Sequence, residues 1–112
     1  MIGSDNMVKT MTVSELENAD MENIRILDIR QEKDFEKGSV KNAVHIINIP
    51  LNRLEAELEL IPKDMPVCVM CYKGESSKEA AEILDKAGFE AYSLEGGYRE
   101  YLRNWLIKNV SI

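Results

Sequence analysis

The sequence is short of the side chains that most protein chemistry uses. Among 112 residues it has one histidine (His45), two cysteines (Cys68 and Cys71) and one tryptophan (Trp105). A structural zinc site usually draws four ligands from Cys and His, so this set is too small to build one. Basic residues are scarce as well. With 14 Lys+Arg against 20 Asp+Glu the formal net charge is -6, which argues against nucleic acid as a partner, because phosphate contacts need clustered Lys and Arg. No apolar run approaches the roughly 20 residues of a membrane-spanning helix, and the N-terminus lacks the basic-then-apolar order of a signal peptide. The expected compartment is therefore cytoplasmic, where the two cysteines are expected to be thiols. What is present, 45% hydrophobic and 30% charged residues, suits one soluble globular domain, and the length leaves room for a single core.

Residues 1–6 (MIGSDN) are polar and turn-like and are expected to be a disordered tail, with the folded domain over 7–110. From there short β-type runs alternate with helical patterns. MVKTM (7–11) predicts a first strand. Thr12-Val13-Ser14-Glu15 has the form of a capping box and opens a helix over 13–19. Ile24–Ile29 predicts a strand, 31–37 a helix stopped at Gly38, and Val44–Ile47 another strand. Segment 51–60 predicts a helix, since Leu51, Leu54, Leu58 and Ile61 recur at helical spacing with Pro62 as the stop, and its acidic residues Glu55, Glu57 and Glu59 form a solvated face. Pro66–Met70 is continuously apolar, as in a strand covered on both sides. A helix over 76–87 follows, opened by a second capping box, Ser76-Ser77-Lys78-Glu79, and closed before Gly88. Glu90–Leu94 is a last strand. Tyr98, Tyr101, Leu102, Trp105 and Leu106 then stripe a terminal helix. This alternation predicts an α/β fold with a mainly parallel β-sheet flanked by helices.

In such folds ligands gather at the carboxyl ends of strands, against helix N-termini. That places attention on Cys71-Tyr72-Lys73-Gly74-Glu75-Ser76-Ser77. The apolar strand delivers Cys71 to its end, a Gly-bearing loop follows, and a helix begins. Backbone N–H groups in such a loop can converge as an anion-binding nest, reinforced by the helix dipole, and would favour the thiolate of Cys71. Lys73 adds a cation nearby. The arrangement suits a nucleophilic cysteine that receives or holds an anionic group. Cys68 lies inside the apolar run and is expected to be inert core rather than half of a C-x-x-C redox pair. His45 in AVHII is expected to be structural, and the Tyr98/Tyr101/Trp105 stripe to be core.

The Cys71–Ser77 loop and the helix after it resemble the active-site loop of rhodanese-like sulfurtransferases, and the resemblance extends over about residues 8–108. Leu27-Asp28-Ile29-Arg30 is similar to the family's D-x-R element, Asp34-Phe35-Glu36-Lys37-Gly38 to its F-x-x-G turn, Asn48-Ile49-Pro50 to its N-I-P segment, and Leu94-Glu95-Gly96-Gly97-Tyr98 to its G-G turn. The resemblance implies that Cys71 attacks a sulfane sulfur, as in thiosulfate, and carries it as a persulfide to a thiol, cyanide or protein acceptor. It implies that the amides from Tyr72 through Ser77 cradle the outer sulfur, that Lys73 favours an anionic donor, that Ser76 and Ser77 add hydroxyl hydrogen bonds, and that Asp28 and Arg30 are scaffold. No metal or organic cofactor is implied. Ser39 and Asn42 depart from a His and a Gly common after the F-x-x-G turn, Tyr101 replaces a frequent Trp, and the stretch from Gly38 to Asn48 is longer than the family pattern.

Two competing functions follow from the same loop. A phosphatase of the C-x5-R type needs an Arg six residues after its Cys to hold phosphate bidentately, and Ser77 stands at that position. A binding or regulatory module of the same fold, or a protein-to-protein persulfide carrier, is the other alternative, and the intact Cys71 loop weighs against a module without chemistry.

Overall fold

The computed structural model describes residues 8–110 of the chain. The expected tail 1–6 lies outside them, as does the first residue of the predicted strand 7–11. The described chain runs through β1 (Thr10–Met11), α1 (Val13–Glu17), a 3₁₀ turn (Met21–Asn23), β2 (Arg25–Asp28), α2 (Glu32–Lys37), β3 (His45–Asn48), α3 (Leu51–Leu54, continued as 3₁₀ over Glu55–Leu60), β4 (Val67–Met70), α4 (Ser76–Lys86), β5 (Ala91–Leu94) and α5 (Gly97–Asn109). The strands form one sheet in the order β1-β5-β4-β2-β3, and every neighbouring pair is parallel. The α/β fold with a parallel sheet is thus as the alternation predicts.

Both faces of the sheet are covered, which is why β2 and β4 are buried along their whole length. Leu27, Val67 and Val69 point to one side and pack with Leu54 of α3 and Ala80, Ala81 and Leu84 of α4. Ile26, Cys68 and Met70 point to the other and pack with Val13 and Leu16 of α1 and Tyr98 and Tyr101 of α5. Cys68 and Cys71, an odd number of residues apart, therefore enter different cores. Both are free thiols. No helix among the described residues is long and apolar enough to cross a membrane.

Thr12 and Glu15 form the predicted capping box: Glu15 N–H donates to Thr12 Oγ1 at 3.0 Å and Thr12 N–H to Glu15 Oε1 at 2.9 Å. The second predicted box is not formed. Glu75, not Ser76, occupies the N-cap of α4, and no side chain caps that end. The amide of Ser77 has another acceptor, the sulfur of Cys71. The helix predicted over 51–60 also breaks: it tightens into 3₁₀ geometry from Glu55 and kinks at Glu57, at φ −117° and ψ 18°. Leu51 and Leu58 remain half-buried and pack on the core as the spacing predicts, while Leu60 is exposed. In α5, Tyr98 and Tyr101 are buried, but Trp105 is half-buried and Leu106 exposed, so the predicted core stripe covers only the first half of the helix.

Candidate active site

In the sheet order, β2 and β4 lie side by side but lead in opposite directions, β2 out to β3 and β4 to β5. Neighbouring loops at their carboxyl ends therefore diverge and leave a crevice between them, the topological switch point of an open α/β sheet. Cys71 sits there, one residue past β4, with Arg30 just past β2. His45 begins β3, at the opposite end of the parallel strands, and belongs to no part of this site.

The loop closes around the cysteine sulfur. Gly74 N–H donates to Cys71 Sγ at 3.0 Å and Ser77 N–H at 3.3 Å. Gly74 has φ +96°, a conformation that L side chains rarely adopt, and a Cβ there would lie 2.8 Å from the Gly96 nitrogen. The sulfur thus takes the place of a side-chain cap at the N-terminus of α4, accepting from the second residue of the helix. Burial pushes the Cys71 thiol up, but hydrogen bonds from the Ser77 hydroxyl and the amides of Ser77, Gly74 and Lys73 outweigh it, and the pKa falls below the ordinary thiol value. Ser77 Oγ lies 2.7 Å from Ser93 Oγ, and both residues are fully buried. With Ser93 as the donor in that pair, the single Ser77 hydroxyl proton is left for the sulfur. Burial alone acts on Cys68 and pushes it to about 12.

The predicted site residues therefore separate. Cys71, Gly74 and Ser77 form the buried centre, while Tyr72, Lys73, Glu75 and Ser76 are exposed on the loop. Lys73 acts on the sulfur through its amide; its ammonium charge is not among the groups that lower the thiol pKa. This arrangement predicts that iodoacetamide alkylates Cys71 with a pH midpoint below the ~8.5 of a free cysteine, because only thiolate reacts, while Cys68 stays unlabelled in the folded protein. Mass spectrometry of each cysteine peptide across pH 5–10 checks this. A Cys71 midpoint at or above that of free cysteine would contradict it.

The loop is held from behind by the start of α5. Tyr98 N–H donates to the Cys71 carbonyl at 2.8 Å and Arg99 N–H to the Tyr72 carbonyl at 2.9 Å. Gly97, at φ +64°, makes this approach possible: a Cβ there would meet the Tyr72 and Cys71 carbonyl oxygens at 2.5 and 2.6 Å. The Gly96-Gly97 turn is thus part of the mount for Cys71, a role that its sequence spacing alone does not reveal. Ser93 is likewise absent from the sequence prediction, since an isolated Ser in a strand carries no signal of its partner.

A second support lies on the β2 side. The fully buried Asp28 carboxylate accepts from Arg30 Nη2 at 2.6 Å, from Arg30 Nε at 3.0 and 3.2 Å, from the Arg30 amide at 3.1 Å and from Ser39 Oγ at 2.8 Å. Arg30 also donates to the Gly38 carbonyl at 2.7 Å, and its guanidinium lies 4.2 Å from the Tyr98 ring centroid. Asn48 Nδ2 donates to the carbonyls of Asp28 and Arg30 at 2.8 and 2.9 Å. Asp28 and Arg30 thus tie the ends of β2 and β3, the Gly38–Ser39 turn and α5 into one frame. The longer stretch before Asn48 is pinned to α5 where Lys41 N–H donates to the Tyr101 hydroxyl at 2.8 Å. Among the described residues no three His, Cys, Asp or Glu side chains cluster as metal ligands would.

Comparison with known proteins agrees with this geometry. A rhodanese-related protein from Thermoplasma volcanium superposes with a TM-score of 0.77 at 25% identity, over 86% of this chain and 92% of its own. A rhodanese homologue from Thermus thermophilus gives 0.62 at 28% identity, over 81% and 96%. An NAD-dependent persulfide reductase from A. fulgidus gives 0.66 at 37% identity, over 80% of this chain but only 15% of that larger one. The rhodanese-like domain model matches residues 12–104. The chain belongs to the rhodanese-like domain family.

Proposed function

We propose that this domain is a sulfurtransferase that moves a sulfane sulfur from a donor such as thiosulfate to a thiophilic acceptor through a persulfide on Cys71. The observation that carries the proposal is the pair of amide donors, Gly74 and Ser77, aimed at a sulfur whose thiolate they favour. In the first half-reaction the Cys71 thiolate attacks the outer sulfur of thiosulfate. A Sγ–S bond forms, the donor's S–S bond breaks, and sulfite leaves with the electron pair. In the second, the acceptor attacks the outer sulfur of the persulfide, the Sγ–S bond breaks, and Cys71 returns to thiolate. The negative charge stays on sulfur throughout, facing N–H dipoles that are already oriented.

The net charge of -6 gives an anionic donor no general attraction. Its binding rests on those local dipoles. The test is intact mass after incubation with thiosulfate and removal of excess donor. A gain of one sulfur atom, mapped to Cys71, absent in Cys71→Ala and lost on adding cyanide, is the expected result. No mass gain on the wild-type protein, together with no thiocyanate formed above the Cys71→Ala background, would overturn it.

A further inference from the structure

Ser93 lies in an interior strand, in register with Val69 of β4 on one side and Thr10 of β1 on the other. It is 1% exposed, and Ala91, two residues back on the same face of β5, belongs to the apolar core that includes Cys71. A buried hydroxyl costs free energy unless it is hydrogen-bonded, so packing alone would favour an apolar side chain here. Among the described residues the Ser93 hydroxyl has one partner, the Ser77 hydroxyl at 2.7 Å. Ser77 is fully buried in turn, and its amide donates to Cys71 Sγ at 3.3 Å. The three side chains thus form a buried row, Ser93–Ser77–Cys71, closed to solvent at the Ser93 end. The proton count sets the direction of this row. Each hydroxyl carries one proton, and the row has two links. With Cys71 as thiolate there are two protons for two links, and both are used when Ser93 donates to Ser77 and Ser77 to the sulfur. With Cys71 as thiol there are three protons for the same links, and one is left in a buried place without an acceptor. The serine pair is therefore matched to the anion.

We propose, resting on Cys71 as the nucleophile of the sulfurtransferase reading above, that Ser93 is a positioning residue which holds the Ser77 hydroxyl with its proton toward the sulfur. Ser93 touches no substrate and acts through Ser77. Donation from Ser93 also polarises the Ser77 hydroxyl and strengthens the bond that it gives to the thiolate. The charged groups around the loop do not duplicate this effect. On the β2 side Arg30 is paired with Asp28, and on the loop and the first turn of α4 the side chains of Lys73, Glu75, Lys78 and Glu79 are exposed. From α5, Tyr98 and Arg99 present their amides to the loop carbonyls, and the Arg99 side chain is exposed. None of these side chains is among the groups that lower the thiol pKa, whereas the Ser77 hydroxyl is.

The experiment reads the pH midpoint of Cys71 alkylation by iodoacetamide in the full chain, for the wild type, Ser93→Ala, Ser93→Thr, Ser77→Ala and the Ser77→Ala/Ser93→Ala double variant. Ser93→Ala is expected to raise the midpoint by about half a pH unit, the scale of one neutral hydrogen bond. Ser93→Thr keeps the hydroxyl and is expected to restore the wild-type value. In the Ser77→Ala background, removal of Ser93 is expected to shift nothing further, because its route to the sulfur is gone. Below the midpoints, sulfur loading of Ser93→Ala from thiosulfate should be about threefold slower than wild type, and above them the difference should vanish. Ser93→Val against Ser93→Thr, alike in shape, repeats the comparison should the alanine variant fail to fold. An unchanged midpoint on losing the hydroxyl would overturn the proposal, as would an equal shift with and without Ser77. So would a loading defect that persists at high pH, the mark of a merely structural role. Failure of the wild-type protein to load with sulfur would overturn the sulfurtransferase proposal alone, since the alkylation midpoints are read without any donor.

Discussion

A Cys71→Ser variant is expected to keep its fold and lose sulfur transfer by ~10³-fold or more, the scale seen when an enzyme loses its nucleophile. The substitution leaves the amides of Gly74 and Ser77 in place, since both are set by the backbone of the loop and by the docking of Cys71 and Tyr72 carbonyls on α5. What it removes is acidity. A thiol needs only oriented dipoles to expose useful thiolate near neutrality. A hydroxyl needs a base to take its proton. The groups bonded to the Cys71 sulfur are two N–H donors and the Ser77 hydroxyl, which stabilise an anion but include no base able to take a hydroxyl proton near neutrality. The single histidine lies at the other end of the strands. A serine here would be well placed and inactive. Thiocyanate formation from thiosulfate and cyanide, with thermal melts of both proteins, checks this; activity within tenfold of wild type would place the nucleophile elsewhere.

The difference between Cys68 and Cys71 shows how much of this site was legible in the sequence. An apolar run ending in Cys, a Gly-bearing loop and a helical pattern is a local arrangement, and local arrangements can be read from spacing. The alternation of strand and helix is equally local, and it led to the parallel sheet. The capping box at Thr12 formed because nothing else competes for the amide of Glu15. The box at Ser76 did not form because α4 begins one residue earlier, with Glu75 as its N-cap and Ser76 already helical, in a loop whose fold brings the sulfur of Cys71 to the amide of Ser77. Likewise the pairing of Ser77 with Ser93, the approach of Gly97 to the carbonyls of Cys71 and Tyr72, and the meeting of Ser39 with Asp28 join residues distant along the chain. No periodicity encodes such meetings. The segment 51–60 departs from its predicted helix for another reason. Leu51, Leu54, Leu58 and Ile61 satisfy helical spacing, but the spacing does not distinguish a continuous α-helix from one that tightens into 3₁₀ after its first turn.

The largest loss of stability is expected from Asp28→Ala. Its carboxylate is fully buried and accepts from the Arg30 side chain, the Arg30 amide and the Ser39 hydroxyl. The Arg30 side chain is itself only 9% exposed. Truncating Asp28 leaves that guanidinium without its counter-charge and strands two further donors, which costs about 3–5 kcal/mol for a broken buried pair. Against a total of roughly 5–15 kcal/mol for a domain, this is a large fraction, and the melting temperature should fall by about 15 °C or more. The intact pair need not be worth that much, since burying both charges has its own desolvation penalty. The double variant Asp28→Ala/Arg30→Met removes the stranded charge along with the carboxylate, so it should recover a substantial part of the loss. Urea denaturation of the wild type, both single variants and the double variant measures the coupling directly. A loss below about 1 kcal/mol for Asp28→Ala, or a double variant no more stable than Asp28→Ala alone, would show that the frame joining β2, the Gly38–Ser39 turn and α5 is held mainly by apolar packing. In that case the aromatic faces of Tyr98 and Tyr101, rather than the carboxylate, would be what keeps the rear of the Cys71 loop in register with the sheet.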